Sequence, residues 1–238
     1  MRTKEFLSVR GIGFESINVQ DDAAGMAALQ SLGARSVPVV AVGDDFVFAQ
    51  SLTDVAELLG LDYDSTPELS PGELVRKLDG VLAAAERLVR QIPAEALNSD
   101  VMDRNRSYRQ LSFHIFEIVE AFLERTINQG VTLELEHLNA DAPDEIQTAT
   151  DITAYGVDVR RRLNAWWAIE VDRDCARIVP TYWGDQALHQ VLERTAWHPA
   201  QHVRQLAMLL PEFGIDPDRP LTPSDLAGLP VPEKVWDD

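Results

Sequence analysis

From residue 70 onwards, apolar residues recur every three or four positions over long stretches of the chain. The first stretch begins at Ser70-Pro71-Gly72-Glu73, which combines a capping box with proline at the first helical position. The apolar positions that follow at helical spacing are Leu74, Leu78, Val81, Leu82, Ala85, Leu88 and Val89. A helix that is apolar on one face must bury that face, so this pattern predicts packed helices.

Three further stretches have the same periodicity. They predict helices with apolar positions at 111–123, 152–169 and 188–210. Four long helices predict an all-α four-helix bundle over residues 71–238, ending in an irregular tail rich in proline, glycine and aspartate. The connection at about 128–150 is long for a bundle, and we expect it to cover one end of the helices.

Residues 1–60 alternate between helical and strand patterns, which predicts an α/β unit. We expect a helix to about Val9, a strand at Phe14–Val19, and a helix that begins at Asp22 and ends at Gly33.

A strand pair and a last helix complete this predicted unit. The strands are expected at Val37–Val42 and Phe46–Phe48, with a connection of hairpin length between them. Ser51 is placed to cap the helix that follows. Residues 61–70 contain turn formers without periodicity, so they are predicted to be a linker between the two domains.

The charge of the chain excludes some partners. With 39 acidic and 21 basic residues, the net charge is −18, so a nucleic acid would meet net repulsion. No apolar run is long enough to span a membrane and the N-terminus has no signal pattern, so we expect a cytoplasmic protein that does not bind membranes. The single cysteine, Cys175, excludes an internal disulfide, and its acidic neighbours disfavour a thiolate.

Three histidines fall on the apolar stripes of predicted helices. His114 shares a face with Leu111 and Ile118, while His198 and His202 are one turn apart on the last helix. Three imidazoles fill three corners of a tetrahedron and leave the fourth open for water or substrate, so the pattern predicts a divalent metal site. Zinc is favoured, with nickel and iron as alternatives. Buried histidines that are only hydrogen-bonded are the other interpretation.

Two residues beside these histidines bear on the chemistry. Glu117, one turn after His114, is a candidate catalytic residue, as a general base, a fourth ligand or an acceptor for an imidazole N–H. A carboxylate at the edge of the bundle is an equal alternative. Pro199 directly follows His198, which predicts a kink or a local break in the helix.

With these histidines in its second and fourth helices, the segment 71–238 resembles the DinB/YfiT-like superfamily of metal-binding four-helix bundles. In that superfamily, a histidine of the second helix and an HxxxH-type pair of the last helix bind a divalent metal. The resemblance therefore assigns metal binding to His114, His198 and His202. Studied members include transferases and isomerases that use mycothiol, bacillithiol or glutathione.

Residues 1–60 resemble a glutaredoxin. The matching segments are Lys4-Glu5-Phe6-Leu7, Gly11-Ile12-Gly13-Phe14-Glu15 and Ser36-Val37-Pro38-Val39-Val40. In that family the proline is cis and the residue before it pairs with the thiol peptide. The resemblance therefore implies thiol binding by Val37 and Pro38, with Gln50 and Ser51 as carboxylate contacts. An edge strand with a trans proline is the alternative.

The glutaredoxin CxxC and the strand before it are missing, since Met1 falls where the residue after the second cysteine would stand. Without this central strand, two strand edges and an open core are expected. We therefore expect either that the chain starts inside a longer protein or that another element fills the gap. As written, the chain cannot carry out dithiol redox chemistry.

Together, these features predict a metal-dependent enzyme that uses glutathione, mycothiol or bacillithiol, as a thiol S-transferase acting on a small electrophile. A metal-dependent hydrolase with a metal-activated water is an alternative. A non-catalytic module that binds thiol or metal, and a purely structural metal site, also stay open. The oligomeric state is undetermined, with a homodimer as one alternative.

Overall fold

The computed structural model describes residues 2–19, 22–102 and 106–236. Contacts divide the chain into two compact units, Met1–Thr66 and Pro67–Asp238. No helix within the described residues is long and apolar enough to cross a membrane.

The first unit combines three helices with one hairpin. Its elements are α1 (Arg2–Val9), α2 (Ala23–Ser31), β1 (Val39–Val42), β2 (Asp45–Phe48) and α3 (Leu52–Leu58). The strands are antiparallel, with Val39 opposite Phe48. A small core forms where α1 and α3 bury their apolar residues, which are Phe6, Leu7, Leu52, Val55 and Ala56. The predicted helices and hairpin of this unit are confirmed.

The strand predicted at Phe14–Val19 is wrong. Phe14 and Ile17 are 42% and 47% exposed, and within the described part of this unit β1 and β2 pair only with each other. A strand exists only with a hydrogen-bonded neighbour, and the apolar residues of a single segment cannot supply one. The first strand of the hairpin also starts later than predicted, after Pro38, which has no N–H to donate.

Four long helices dominate the second unit. They are α4 (Pro71–Val89), α5 (Tyr108–Ala121), α6 (Ala149–Ile169) and α7 (Leu188–Leu209). Both α4 and α5 pack against α6 and against α7. The predicted capping box is present, because the Ser70 amide donates to Glu73 Oε2 at 2.9 Å and the Glu73 amide donates to Ser70 Oγ. The unit is therefore mostly helical, as predicted.

The remaining elements of this unit are short. They are a π-helix (Phe122–Gln129), 3₁₀ turns (Leu135–Leu138 and Leu210–Phe213), β3 (Ile178–Val179), β4 (Gln186–Ala187) and α8 (Pro223–Leu226). The long connection before α6 folds back onto α5, where Arg109 Nε donates to the Ile146 carbonyl at 2.6 Å and Gln110 Oε1 accepts from the Ala142 amide at 2.9 Å. These bonds bring the connection beside the first turns of α5.

The prediction at Pro199 was a kink or a local break, and the break is wrong because α7 continues through this residue. A proline removes one helical hydrogen bond, whereas α7 buries apolar residues both before and after it, including Val191 and Leu206. Packing along the whole helix outweighs this local loss. As a result, His198 and His202 stay one turn apart on one continuous helix.

Candidate metal centre

Helices α5 and α7 bring the three predicted histidines together. The ring centroid of His114 lies 5.6 Å from that of His198 and 5.0 Å from that of His202, and the last two are 4.9 Å apart. One nitrogen from each ring can be chosen so that all three lie within 4.8 Å of one another. Among the described residues, these three histidines form a group of potential metal ligands close enough to share one ion.

Two ring nitrogens of this cluster are buried and unsatisfied. Neither His198 Nδ1 nor His202 Nε2 has a hydrogen-bond partner among the described residues. A buried polar atom without a partner is costly, and a metal ion removes that cost. Two Zn–N bonds of about 2.0–2.1 Å span at most about 4.2 Å, so small rotations of the rings inward would suit a zinc ion. The donor set therefore fits a divalent metal that prefers nitrogen ligands.

Glu117 lies behind His114 and orients its ring. Its Oε2 is 2.9 Å from His114 Nδ1, and its Oε1 accepts from the Ala140 amide. Both residues are buried, at 3% exposure for His114 and 4% for Glu117. With Nδ1 donating to the carboxylate, Nε2 of His114 is left as the metal-binding nitrogen. Both carboxylate oxygens are thus engaged, which favours an orienting role for Glu117 over that of a base.

Gln205 makes the equivalent contact with Nδ1 of His202. Its Oε1 lies 2.7 Å from His202 Nδ1, while its Nε2 donates to the Val235 carbonyl at 3.1 Å. A carbonyl accepts hydrogen bonds only, so the amide nitrogen must face Val235 and the amide oxygen must face the imidazole. His202 Nδ1 is therefore the protonated nitrogen, and its unsatisfied Nε2 is free for a metal.

The surroundings keep all three imidazoles neutral. His198 and His202 are half-buried, yet desolvation by the surrounding protein lowers the pKa of His202 to about 4 and that of His198 well below its usual value. Desolvation also lowers the pKa of His114. Neutral imidazole is the form that binds a metal, so these residues can bind one at neutral pH without losing a proton. Burial raises the pKa of Glu117 to about 7.

Two arginines bring positive charge to the cluster. Arg106, just before α5, contributes to the lowered pKa of each of the three histidines. Arg194, one turn before His198 on α7, lowers the pKa of His114 and His198 and lies over the Trp183 ring, 5.0 Å from its centroid. Both arginine charges therefore act on the histidine cluster, although the chain as a whole is strongly acidic.

The other two histidines of the unit have different local roles. His137 Nδ1 accepts from the Glu134 amide at 3.1 Å, and His189 Nε2 lies 2.8 Å from the Leu69 carbonyl. Cys175 is fully buried, which raises the pKa of its thiol to about 12. The cysteine of this chain is therefore a protonated core residue rather than a nucleophile.

The residues assigned to thiol binding gather at one end of the first unit's hairpin. The Val37–Pro38 bond is cis, and the Ala49 amide donates to the Pro38 carbonyl at 3.0 Å. This bond and the strand register bring Val37 and Pro38 next to Gln50 and Ser51. Ser51 caps α3 by accepting from the Asp54 amide, whereas Gln50 Oε1 is buried without a hydrogen-bond partner among the described residues.

Sequence reasoning missed Gln205 and Arg106. The spacing of Gln205, three residues after His202, was the available signal, because it places an amide on the ligand's side of the helix. Arg106 precedes the predicted helix and follows no periodic pattern, so its position beside the histidines depends on the tertiary fold.

Comparisons with known proteins bear on the first unit only. The glutaredoxin family model matches residues 1–47, which supports the glutaredoxin-like segment predicted from the sequence. The match covers less than half of the chain. No curated protein matches the chain.

Proposed function

We propose that this protein is a metal-dependent enzyme that transfers a low-molecular-weight thiol to a small electrophile. The observation that supports it best is that His198 and His202, each with a buried and unsatisfied ring nitrogen, cluster with a third imidazole, His114. On this proposal the helical unit is a bundle of the DinB/YfiT-like type, and the glutaredoxin-like unit recognises the thiol.

The three imidazoles fill three positions around a metal and leave one free, as catalytic sites do. A divalent ion bound there supplies positive charge that lowers the pKa of a thiol placed in the open position. Glu117 and Gln205 hold two of the ligand rings in place through their Nδ1 atoms. The nucleophilic sulfur comes from outside the chain, since Cys175 is buried and protonated.

The reaction balances with a simple aromatic electrophile. With 1-chloro-2,4-dinitrobenzene, the thiol sulfur forms a bond to the ring carbon, the carbon–chlorine bond breaks, and chloride leaves with the electron pair. The thiol proton passes to solvent. The rate of this reaction is measured with glutathione, mycothiol and bacillithiol in turn as the thiol.

The test measures the metal content and the thiol-transfer activity of two variants, His202→Ala and His189→Ala. Both histidines lie on α7, but only His202 belongs to the cluster, whereas His189 contacts the Leu69 carbonyl. We expect His202→Ala to lose the metal and the thiol transfer, and His189→Ala to keep both. Full activity of metal-free His202→Ala contradicts the proposal.

Hydrolysis by a metal-activated water is the weaker alternative, because Glu117 uses both carboxylate oxygens on the protein itself. Turnover measured with and without added thiol distinguishes the two reactions. A transferase forms no product without thiol, whereas a hydrolase turns over an ester substrate in its absence.

A further inference from the structure

Residues 232–235, here called the tail segment, lie along α7 and are held there by side chains of that helix. The guanidinium of Arg204 donates to the carbonyls of Pro232 and Glu233, at 2.6 and 2.8 Å. Gln201 Nε2 donates to the two carbonyls that follow, at 3.2 and 2.7 Å. Because these bonds go to backbone carbonyls, they fix the course of the chain along the helix.

Gln205 joins the tail segment to the histidine cluster. Its Nε2 donates to the Val235 carbonyl at 3.1 Å, and its Oε1 lies 2.7 Å from His202 Nδ1. Gln205 is buried, at 7% exposure. Two hydrogen bonds in series therefore connect a backbone carbonyl of the tail segment to one of the three imidazoles.

The orientation of the Gln205 amide decides which nitrogen of His202 can bind a metal. The oxygen of an amide only accepts hydrogen bonds, whereas its NH₂ group only donates them. If this amide turned around, its NH₂ group would face Nδ1 of His202, and the ring proton would have to move to Nε2. A protonated Nε2 cannot bind a metal. The Val235 carbonyl disfavours that orientation, because it would then face the amide oxygen, a second acceptor.

We propose that the tail segment is a positioning element of the metal centre. The Val235 carbonyl fixes the amide of Gln205, and the amide holds His202 with Nε2 directed to the metal. The inference rests on the metal centre of the proposed function and deepens it, since it makes metal affinity depend on a segment 30 residues further along the chain than Gln205. Coupling of this kind is reciprocal, so bound metal should also favour docking of the tail segment.

A chain that ends at Val231 lacks the tail segment but keeps Gln205 and His202. Competition with a chromophoric chelator measures the zinc affinity of the full and the shortened chain. We expect the shortened chain to bind zinc about three- to tenfold more weakly, because the Gln205 amide is then free to turn. This loss is smaller than the 10- to 100-fold that removal of the imidazole contact itself commonly causes.

Gln205→Glu distinguishes positioning from a general loss of structure. A carboxylate has two acceptor oxygens, so it accepts from His202 Nδ1 in either orientation and needs no carbonyl to fix it. Removal of residues 232–238 should therefore leave the zinc affinity of Gln205→Glu undiminished. The added charge is present at both chain lengths, so it cancels in this comparison.

Arg204→Met loosens the tail segment without shortening the chain, and we expect it to weaken zinc binding in the same direction. It provides the comparison if the shortened chain does not fold, which urea denaturation of the metal-free protein shows. Lys77→Met is the matched control, because Lys77 Nζ donates from α4 to the carbonyls of Ser224 and Asp225, at 3.0 and 3.2 Å. This variant should leave the zinc affinity unchanged.

The outcomes separate the inference from the proposed function. Equal zinc affinity of the full chain, the shortened chain and Arg204→Met overturns the inference alone, as does an equal loss on shortening Gln205→Glu. A full chain that binds no zinc overturns the proposed function and the inference with it. Zinc binding with the expected losses but without thiol transfer supports the inference and contradicts the proposed function.

Discussion

Each ligand ring whose tautomer can be assigned is aimed by an acceptor behind it. Glu117 contacts His114 Nδ1 and Gln205 contacts His202 Nδ1, each at hydrogen-bond distance. Such contacts fix which nitrogen faces the metal and keep the ring from rotating, and their loss commonly costs 10- to 100-fold in metal affinity.

Gln205→Leu is expected to weaken zinc binding by about 10- to 100-fold, because His202 Nδ1 loses its acceptor. Gln201→Leu is the matched control. Gln201 Nε2 also donates to the Val235 carbonyl, at 2.7 Å, and its Oε1 accepts from Arg204 at 2.7 Å. Competition with a chromophoric zinc chelator measures both affinities. Equal losses in the two variants would show that the tail contact, rather than the imidazole contact, matters.

Cys175 provides a second prediction about a single residue. With its thiol fully buried and its pKa raised to about 12, the native protein should react with iodoacetamide at pH 8 at least about 100-fold more slowly than the unfolded chain. Mass spectrometry of timed samples measures the rates. Rapid labelling of the native protein would mean that the chain has a nucleophilic thiol of its own.

The sequence predicted that these three histidines lie on helix faces directed at one core because that signal is local. An i,i+4 pair on the apolar face of one helix and a histidine on the face of another need no knowledge of the three-dimensional contacts. Arg106 and Gln205 could not be assigned in the same way. Polar residues near helix ends and on helix faces are common, and only the packed structure shows that Gln205 contacts His202 and that the charge of Arg106 acts on the histidines.

The helices were predicted correctly and the strand at Phe14–Val19 was not, and the reason is physical. A helix makes its hydrogen bonds within its own segment, so the capping box at Ser70 and the apolar period of α4 were sufficient to place that helix. A strand makes its bonds with another segment, and Phe14–Val19 has no partner for a ladder in the part of the chain that the structure describes. The predicted strand was therefore wrong, because the apolar residues of one segment cannot produce a strand alone.

The packing of α5 on α6 requires a glycine at position 156. A Cβ added there would overlap with the ring of Phe116, which is fully buried and cannot move away. Gly156→Ala should therefore lower the free energy of unfolding by about 1–3 kcal/mol, despite the better helix propensity of alanine.

Gly80→Ala on α4 is the matched control, because a Cβ there meets no atom within 4 Å. At this exposed position alanine should raise the free energy of unfolding by about 0.5–1 kcal/mol. Urea denaturation followed by tryptophan fluorescence measures both variants. A stabilising effect of Gly156→Ala would contradict the close α5–α6 packing.

At the scale of the whole molecule, the net charge of the chain is negative, whereas the two arginines near the histidine cluster are positive. The chain carries a net charge of −18, yet the charges of Arg194 and Arg106 add to desolvation in lowering the pKa of His198. Bulk charge repels anions at long range and is screened by salt, whereas partly buried charges act at short range and are screened less. An anionic small molecule should therefore bind at the centre more tightly as ionic strength rises from very low values, until screening weakens the local contacts.

Metal binding should stabilise the helical unit as a whole. All five tryptophans lie beyond residue 160, so their fluorescence reports on that unit. Zinc at 100 times its Kd should add about 2.7 kcal/mol to the free energy of unfolding and raise the Tm, and a chelator should reverse the effect. His202→Ala should show no such shift. An equal shift in that variant would place the metal elsewhere.

The absorption spectrum of the Co²⁺-loaded protein, recorded before and after addition of 3-mercaptopropionamide, tests the central claim most directly. We predict one Co²⁺ per chain with the intense visible bands of a four-coordinate site, and a new sulfur-to-cobalt charge-transfer band when the thiol is added. A protein that binds no more Co²⁺ than His202→Ala does, or one whose spectrum is unchanged at saturating thiol, would contradict a thiol-binding metal centre at His114, His198 and His202.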